Sequence, residues 1–161
     1  MAQSDFFLKI EGVEGESSDD KHKKEIDVLS WSWGETNAGS QHFGGGGGAG
    51  KVSMQDFNFV TKFNKASPKL MLACATGEHI PSAVLTCRKA GGKQEEFFII
   101  KFTDLLISSY QTGGSDGDLV PMDQISFNYT KIEFDYKMQD AKGGLESSIK
   151  AGYDLKLNKK V

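Results

Sequence analysis

A chain of 161 residues with a formal net charge of −3 and a single arginine, Arg88, is sized for one domain and lacks the basic, arginine-rich surface of most nucleic-acid binders. No window approaches the roughly 20 consecutive apolar residues of a membrane span, and the N-terminal MAQSDFFLKIEG has neither the basic region nor the long apolar core of a secretory signal. No nucleic acid and no membrane insertion is therefore expected, and a chain made in the cytoplasm would leave it only by a route that reads no such signal.

Taken from the N-terminus, most segments alternate apolar and polar residues with period two, so the fold is expected to be mainly β. Phe6, Leu8 and Ile10 share one face of a first strand. Residues 11–24 are polar and read as an exposed loop, and a second strand runs from about Glu25 to Trp33. A glycine-rich segment follows, then strands from about Val52 to Phe63 and from Ala83 to Lys89. Ala90-Gly91-Gly92-Lys93 is a hairpin turn into a long strand from Glu95 to Tyr110. The segment QTGGSDGD is a loop, Ile125 to Met138 is again a long strand, and Lys150 to Leu157 closes the chain.

One short helix interrupts this series. Ser67 suits an N-cap, Pro68 suits the first helical position, and KLMLACAT carries the helix to Gly77, a natural terminator. It is almost wholly apolar and would plug an opening of a β-structure. The two cysteines, Cys74 and Cys87, sit among apolar neighbours and read as small, reduced, buried side chains.

Two patterns say more than the strand count. The apolar face changes parity inside strands: Ile125, Phe127 and Tyr129 are odd, whereas Ile132, Phe134, Tyr136 and Met138 are even. Likewise Val52 and Met54 are even, and Phe57, Phe59 and Phe63 odd. A strand changes face only at a bulge or on passing to another packing partner. In addition, Phe97-Phe98-Ile99-Ile100 and Leu105-Leu106-Ile107 are apolar on both faces, and the helix or a second subunit must cover the spare one. A self-associating β-barrel or sandwich follows.

The run GGGGAGK from Gly45 to Lys51 satisfies the spacing of a phosphate-gripping P-loop. The position that should offer a metal-binding hydroxyl is Val52, polar turn-like residues precede the run, and a strand pattern follows it where a helix is required. Nucleotide binding is not expected. His22, His42 and His79 are widely spaced and without local partners at ligand spacing, and Asp116 and Asp118 lack the oxygen series of a calcium loop. No catalytic, cofactor or metal site is assigned. In Leu29-Ser30-Trp31-Ser32-Trp33, the tryptophans form one face, for a core or interface, and Ser30 and Ser32 form a narrow polar one.

The segments EIDVLSWSWGE, HFGGGGGAGKVSMQDFNF, KASPKLMLACATGEHIPSAVLTCRKAGG and ISSYQTGG resemble, in order and spacing across essentially the whole chain, the haemolysin-coregulated protein (Hcp) family. The resemblance implies the tube protein of bacterial type VI secretion: a small β-barrel of two antiparallel sheets with one short α-helix. Six copies assemble as a ring, and rings stack into a tube expelled on sheath contraction. It implies as partners further copies of the chain in a homohexamer, a VgrG-type spike, the contractile sheath and small effectors carried or chaperoned in the lumen. It also implies a single Hcp-like domain over 1–161, with no C-terminal toxin extension and no enzymatic activity.

On the same ground, Ser30 and Ser32 would face the lumen. An extended loop at about 36–52, with Gln41, His42, Phe43, Gly44, Gly45, Gly46, Gly47 and Gly48, would contact neighbouring subunits or rings. Gly113 and Gly114 would lie in a second loop on the other ring face. The alternative is a monomeric β-sandwich that binds a ligand of carbohydrate type, with Trp31 or Trp33 stacking on a sugar.

Overall fold

A computed structural model describes residues 4–39, 51–91 and 93–161. The first strand, β1 (Ser4–Ile10), pairs antiparallel with β2 (Ile26–Val28) on one side and β7 (His79–Lys89) on the other. From β7 the sheet continues through β8 (Glu96–Gly113), β9 (Met122–Gln139) and β10 (Leu145–Asp154) to the two-residue β11 (Lys159–Lys160). β9 also pairs with β6 (Phe57–Lys62), and β6 with β3 (Ser30–Ser32). β4 (Glu35–Asn37) and β5 (Val52–Met54) form a separate two-stranded ribbon.

The fold is thus mainly β with one described helix, α1 (Ser67–Thr76). The long second strand expected from 25 to 33 is instead two short ones, β2 and β3, broken at Leu29. That residue donates its N–H to Val60 O, the bond that carries the sheet around the corner. β2 itself pairs with β1 and β3 with β6, so the barrel is left partly open at this corner. The strand expected from 52 to 63 is also two pieces, divided at Gln55–Asp56. This is why Val52 and Met54 differ in parity from Phe57 and Phe59: they belong to the ribbon.

The core lies between the curled sheet's inner faces, centred on Phe57. Its ring lies 4.9 Å from Phe102, 5.2 Å from Phe127 and 5.9 Å from Trp31, in tilted or stacked geometry. Leu8, Ile26, Leu85, Ile100, Leu105 and Ile125 fill in around this cluster and are fully buried. Each aromatic ring buries a large apolar area and gains further from edge contacts.

Two irregularities bend β8 and β9 around this core. Phe102 pairs with Ile132 and Leu105 with Tyr129, and all four are buried, so both strands exchange faces between these pairs without a slip in register. Asp104 sits at the crease with φ 56°, a conformation costly for a residue with a Cβ. Farther along, the register does slip between Ile107 and Ser109, a β-bulge opposite Ser126. The parity change in β9 therefore falls at Asp104–Thr130 as a backbone crease within an unbroken register, and not at the register bulge farther along.

The helix caps differ from expectation at one end. Ser67 is the first helical residue rather than the cap, which is Ala66. The Ser67 hydroxyl accepts from Asn64 N–H at 3.0 Å and donates to the buried carboxylate of Asp123 at 2.5 Å. It thereby fastens the helix start to β9 rather than closing the helix on itself. Gly77 ends the helix in the left-handed region at φ 68°, with its N–H on Ala73 O. Leu70 and Ala73 are buried, whereas Met71 and Leu72 are about half exposed. Cys87 is buried and its thiol is pushed up to about 12 by desolvation; Cys74 is only partly buried.

Residues 11–24 are not the free loop their polarity suggests. Val13, Gly15, Ser17 and His22 are buried, and Gly15 and Ser17 donate to Lys24 O and Glu25 O. A Cβ on Gly15 would stand 2.5 Å from Glu25 O, so glycine is required there. Arg88 holds the far end of the loop with two bonds to Asp19, at 3.0 and 2.7 Å, and a third to Asp5 at 3.2 Å. His22 stacks on Phe7 at 4.4 Å, with Nδ1 at 2.9 Å from Glu25 and Nε2 at 2.7 Å from Glu96. The reading that His22 lacks partners is therefore corrected. Glu25 is three residues on, and Glu96 is brought in only by the fold.

Candidate functional site

The ladder register assembles one polar surface from four strands. Antiparallel partners share a face, so Ser30, Val60, Gln124 and Gln111 form one cross-strand row: Ser30 pairs with Val60, Val60 with Gln124 and Gln124 with Gln111. The next row is Ser32, Asn58, Ser126 and Ser109. All of these except Ser126, with the edges of Trp31, Phe59 and Ile125, bound a shallow depression of about 360 Å³. The rows that alternate with them carry Trp31, Phe59, Ile125 and Tyr110, whose side chains turn inwards. Ser30 and Ser32 thus lie where the sequence places them, on an exposed polar face backed by tryptophan.

The bulge enriches this face in hydroxyls. It sets Ser108 and Ser109 opposite one partner, Ser126, whose Oγ lies 3.0 Å from one and 2.5 Å from the other. Ser108 also donates to Asp56. Apart from the core residues whose edges it touches, the depression is lined by hydroxyls, amides and Val60, with no charged side chain among the described residues. Asp56 and Lys62 lie at opposite ends of the β6 row to which Asn58 and Val60 belong. Asn58, Ser109, Gln111, Gln124 and Ser126 escape the sequence reading because polar residues at alternate strand positions look like ordinary solvent-facing ones. Only the register shows that they are contiguous with Ser30 and Ser32.

The glycine-rich segment is flanked in sequence by the two strands of the β4–β5 ribbon. Glu35 pairs with Met54, Thr36 with Ser53 and Asn37 with Val52, so both ends of the expected 36–52 loop are strand. Val52 continues as β5, and the helix that a P-loop needs after its lysine does not follow. At the ribbon's base, Trp33 Nε1 donates to Tyr129 OH, Tyr129 OH donates to Gln55 O at 2.9 Å, and Gln55 N–H donates to Gly34 O at 2.9 Å. Burial pushes the Tyr129 phenol up to about 12. Gln41, His42, Phe43, Gly44, Gly45, Gly46, Gly47 and Gly48 lie outside the described residues.

Gly113 is the last residue of β8, paired with Met122, and Gly114 begins the loop. A Cβ at either would meet nothing within 4 Å, so no contact with the described residues demands glycine. The loop is instead shaped by Gly117, at φ 96°, and by Asp118, which accepts from Ser115 N–H at 3.1 Å. Asp118 thus closes a turn of its own backbone. Both tryptophans are partly buried and pack on aromatic neighbours, Trp33 also lining a depression with Met54 and Tyr153. Trp31 lies against Phe6, Phe57 and Phe98, and Trp33 against Phe134.

The comparisons with known proteins agree with this architecture. Residues 7–136 match the model of a family described as type VI secretion system effector, Hcp. The curated protein hcp1 of Pseudomonas aeruginosa is 46% identical over 156 residues, covering 96% of each chain. Among solved structures, that of Hcp1 from Salmonella typhimurium is 38% identical with a TM-score of 0.79, over 99% of this chain and all of the other. A structure described as a type six secretion system protein has a TM-score of 0.92 at 35% identity, over 99% of this chain and 100% of that one. A type VI secretion system effector from Yersinia pestis is 38% identical with a TM-score of 0.76, over 93% and 99%.

Proposed function

Because the chain belongs to the Hcp family, and is thereby a self-assembling tube subunit of a type VI secretion system, we propose that it closes as a head-to-tail homohexamer with Ser30 and Ser32 turned to the lumen. The alternative of a monomeric carbohydrate module is not favoured. The observation that carries the lumen assignment is the neutral polar surface spanning β3, β6, β9 and β8, whose opposite side is the aromatic core. A wall of short hydroxyl and amide side chains is smooth and wettable, and it can hydrogen-bond a passenger without gripping it through charge.

In this reading the protein acts through surfaces rather than through a chemical step. Rings stack, the loop with Phe43 and the glycine run reaches a neighbouring subunit or ring, and the loop that follows Gly113 meets the opposite ring face. A spike, a contractile sheath and small effectors are the partners, and the subunit is made in the cytoplasm before it leaves through the same machine.

Light scattering and electron microscopy test the assembly: annular particles near six times 17.6 kDa are expected. A Ser32→Arg variant should form the same rings and retain less, or different, cargo in co-purification. Loss of the rings in that variant would place Ser32 at a subunit contact instead.

A further inference from the structure

The inner face of the sheet does not stop where the core stops. Along β9, Ile132 is buried, Phe134 is partly buried, and Tyr136 and Met138 are 43% and 48% exposed, all at alternate positions on one side. The neighbours in register continue the pattern. Tyr136 pairs with Phe98 on β8 and with Ile149 on β10, and Ile149 is 65% exposed. The ends of β8, β9 and β10 therefore form a flap that overhangs the barrel and carries the core's own apolar face into solvent. A contiguous aromatic and aliphatic surface of this kind marks an interaction site.

We propose that this flap is the surface by which one copy of the chain covers the next. The inference rests on the tube-subunit reading and deepens it, by naming the patch that the neighbouring copy buries. A closed ring needs two different patches on each subunit, and this flap is one of them.

A segment of the same chain is the weaker occupant. Residues 40–50 supply one large apolar side chain, Phe43, among glycines, and residues 1–3 supply only Met1. Neither matches a face made of Phe98, Phe134, Tyr136, Met138 and Ile149. A second copy, which the family's self-assembly already brings into contact, supplies the area.

The test uses the full chain. Met138→Glu and Ile149→Lys each place a charge on the flap at a position already exposed in the subunit, so each variant should fold. Size-exclusion chromatography with light scattering should show wild type assembled. Both variants should shift to 17.6 kDa subunits, needing at least about tenfold more protein to assemble. Lys150→Ser, one residue along on the other face of β10, should assemble as wild type does. An Ile149→Cys variant keeps the surface apolar and reports burial directly: alkylation should be fast in dilute subunits and slowed about tenfold or more in the assembly.

Charged variants that assemble at wild-type concentrations, or an introduced thiol in Ile149→Cys that is equally reactive in both states, would overturn the flap and leave the ring reading standing. A lowered melting temperature of dilute Ile149→Lys subunits with unchanged assembly would assign the flap to its own chain, and overturn the proposal in favour of residues 40–50. Wild type that stays monomeric at every concentration would remove the ring reading and the flap together.

Discussion

Asp19 shows how one ion pair can organise a polar segment. Its carboxyl is held at about 2, first by hydrogen bonding to Arg88. That lies below the usual value of 3.8, so the stability it contributes is complete above that value and is lost as pH falls towards 2. Melting temperature should therefore fall between pH 4 and 2, and Asp19→Asn should flatten that limb of the profile while lowering stability near pH 7. An unchanged slope in the variant would show that other carboxylates carry the acid transition. Little of this was legible in the sequence. Arg88 is conspicuous as the only arginine, but it and Asp19 are 69 positions apart, and polarity alone made residues 11–24 look unattached. Ser67 is a similar case at the helix start. A serine before proline reads as a cap, yet the buried carboxylate of Asp123, 56 positions away, takes its hydroxyl instead.

At the scale of elements, alternation located most strands because strands such as β2 and β6 bury one face and expose the other, a signal carried by every residue. The parity changes also announced that something bends the long strands. The sequence did not show which residue bends them, since a crease needs only a backbone conformation. Asp104, at φ 56°, is that residue in β8. Asp104→Val should cost about 1–3 kcal/mol, because a β-branched side chain is disfavoured in this region. Asp104→Gly should be neutral or stabilise by up to about 1 kcal/mol, since its exposed contact with His79 at 3.2 Å is worth little. Thermal or urea unfolding followed by circular dichroism measures both. Equal costs for the two variants would refute the crease. Where strands were drawn too long, at Leu29 and at Gln55–Asp56, the cause is the same: short breaks leave the surrounding alternation almost undisturbed.

For the whole molecule, the candidate wall was half legible. Ser30 and Ser32 could be picked out because two tryptophans flank them, but the remaining polar residues are joined to them only by register. The wall's neutrality carries a prediction at this scale. Charged contacts weaken steeply with salt and neutral hydrogen bonds do not, so retention of a lumen passenger should change little between low and moderate ionic strength. Co-purification across a salt series measures this. A sharp loss of cargo with added salt would shift the binding role from the depression to Asp56, Lys62 or another charged site.

The overhanging flap has a second side. Opposite Phe134, Tyr136 and Ile149, its strands alternate to Glu133, Asp135, Lys137 and Lys150, where Lys150 pairs with Asp135 and Lys101 with Glu133. A neighbour approaching from that side would have to strip water from several charges to gain contact. A copy docking on the flap would therefore meet its apolar side, and that choice of side is written into the alternation of the strand itself.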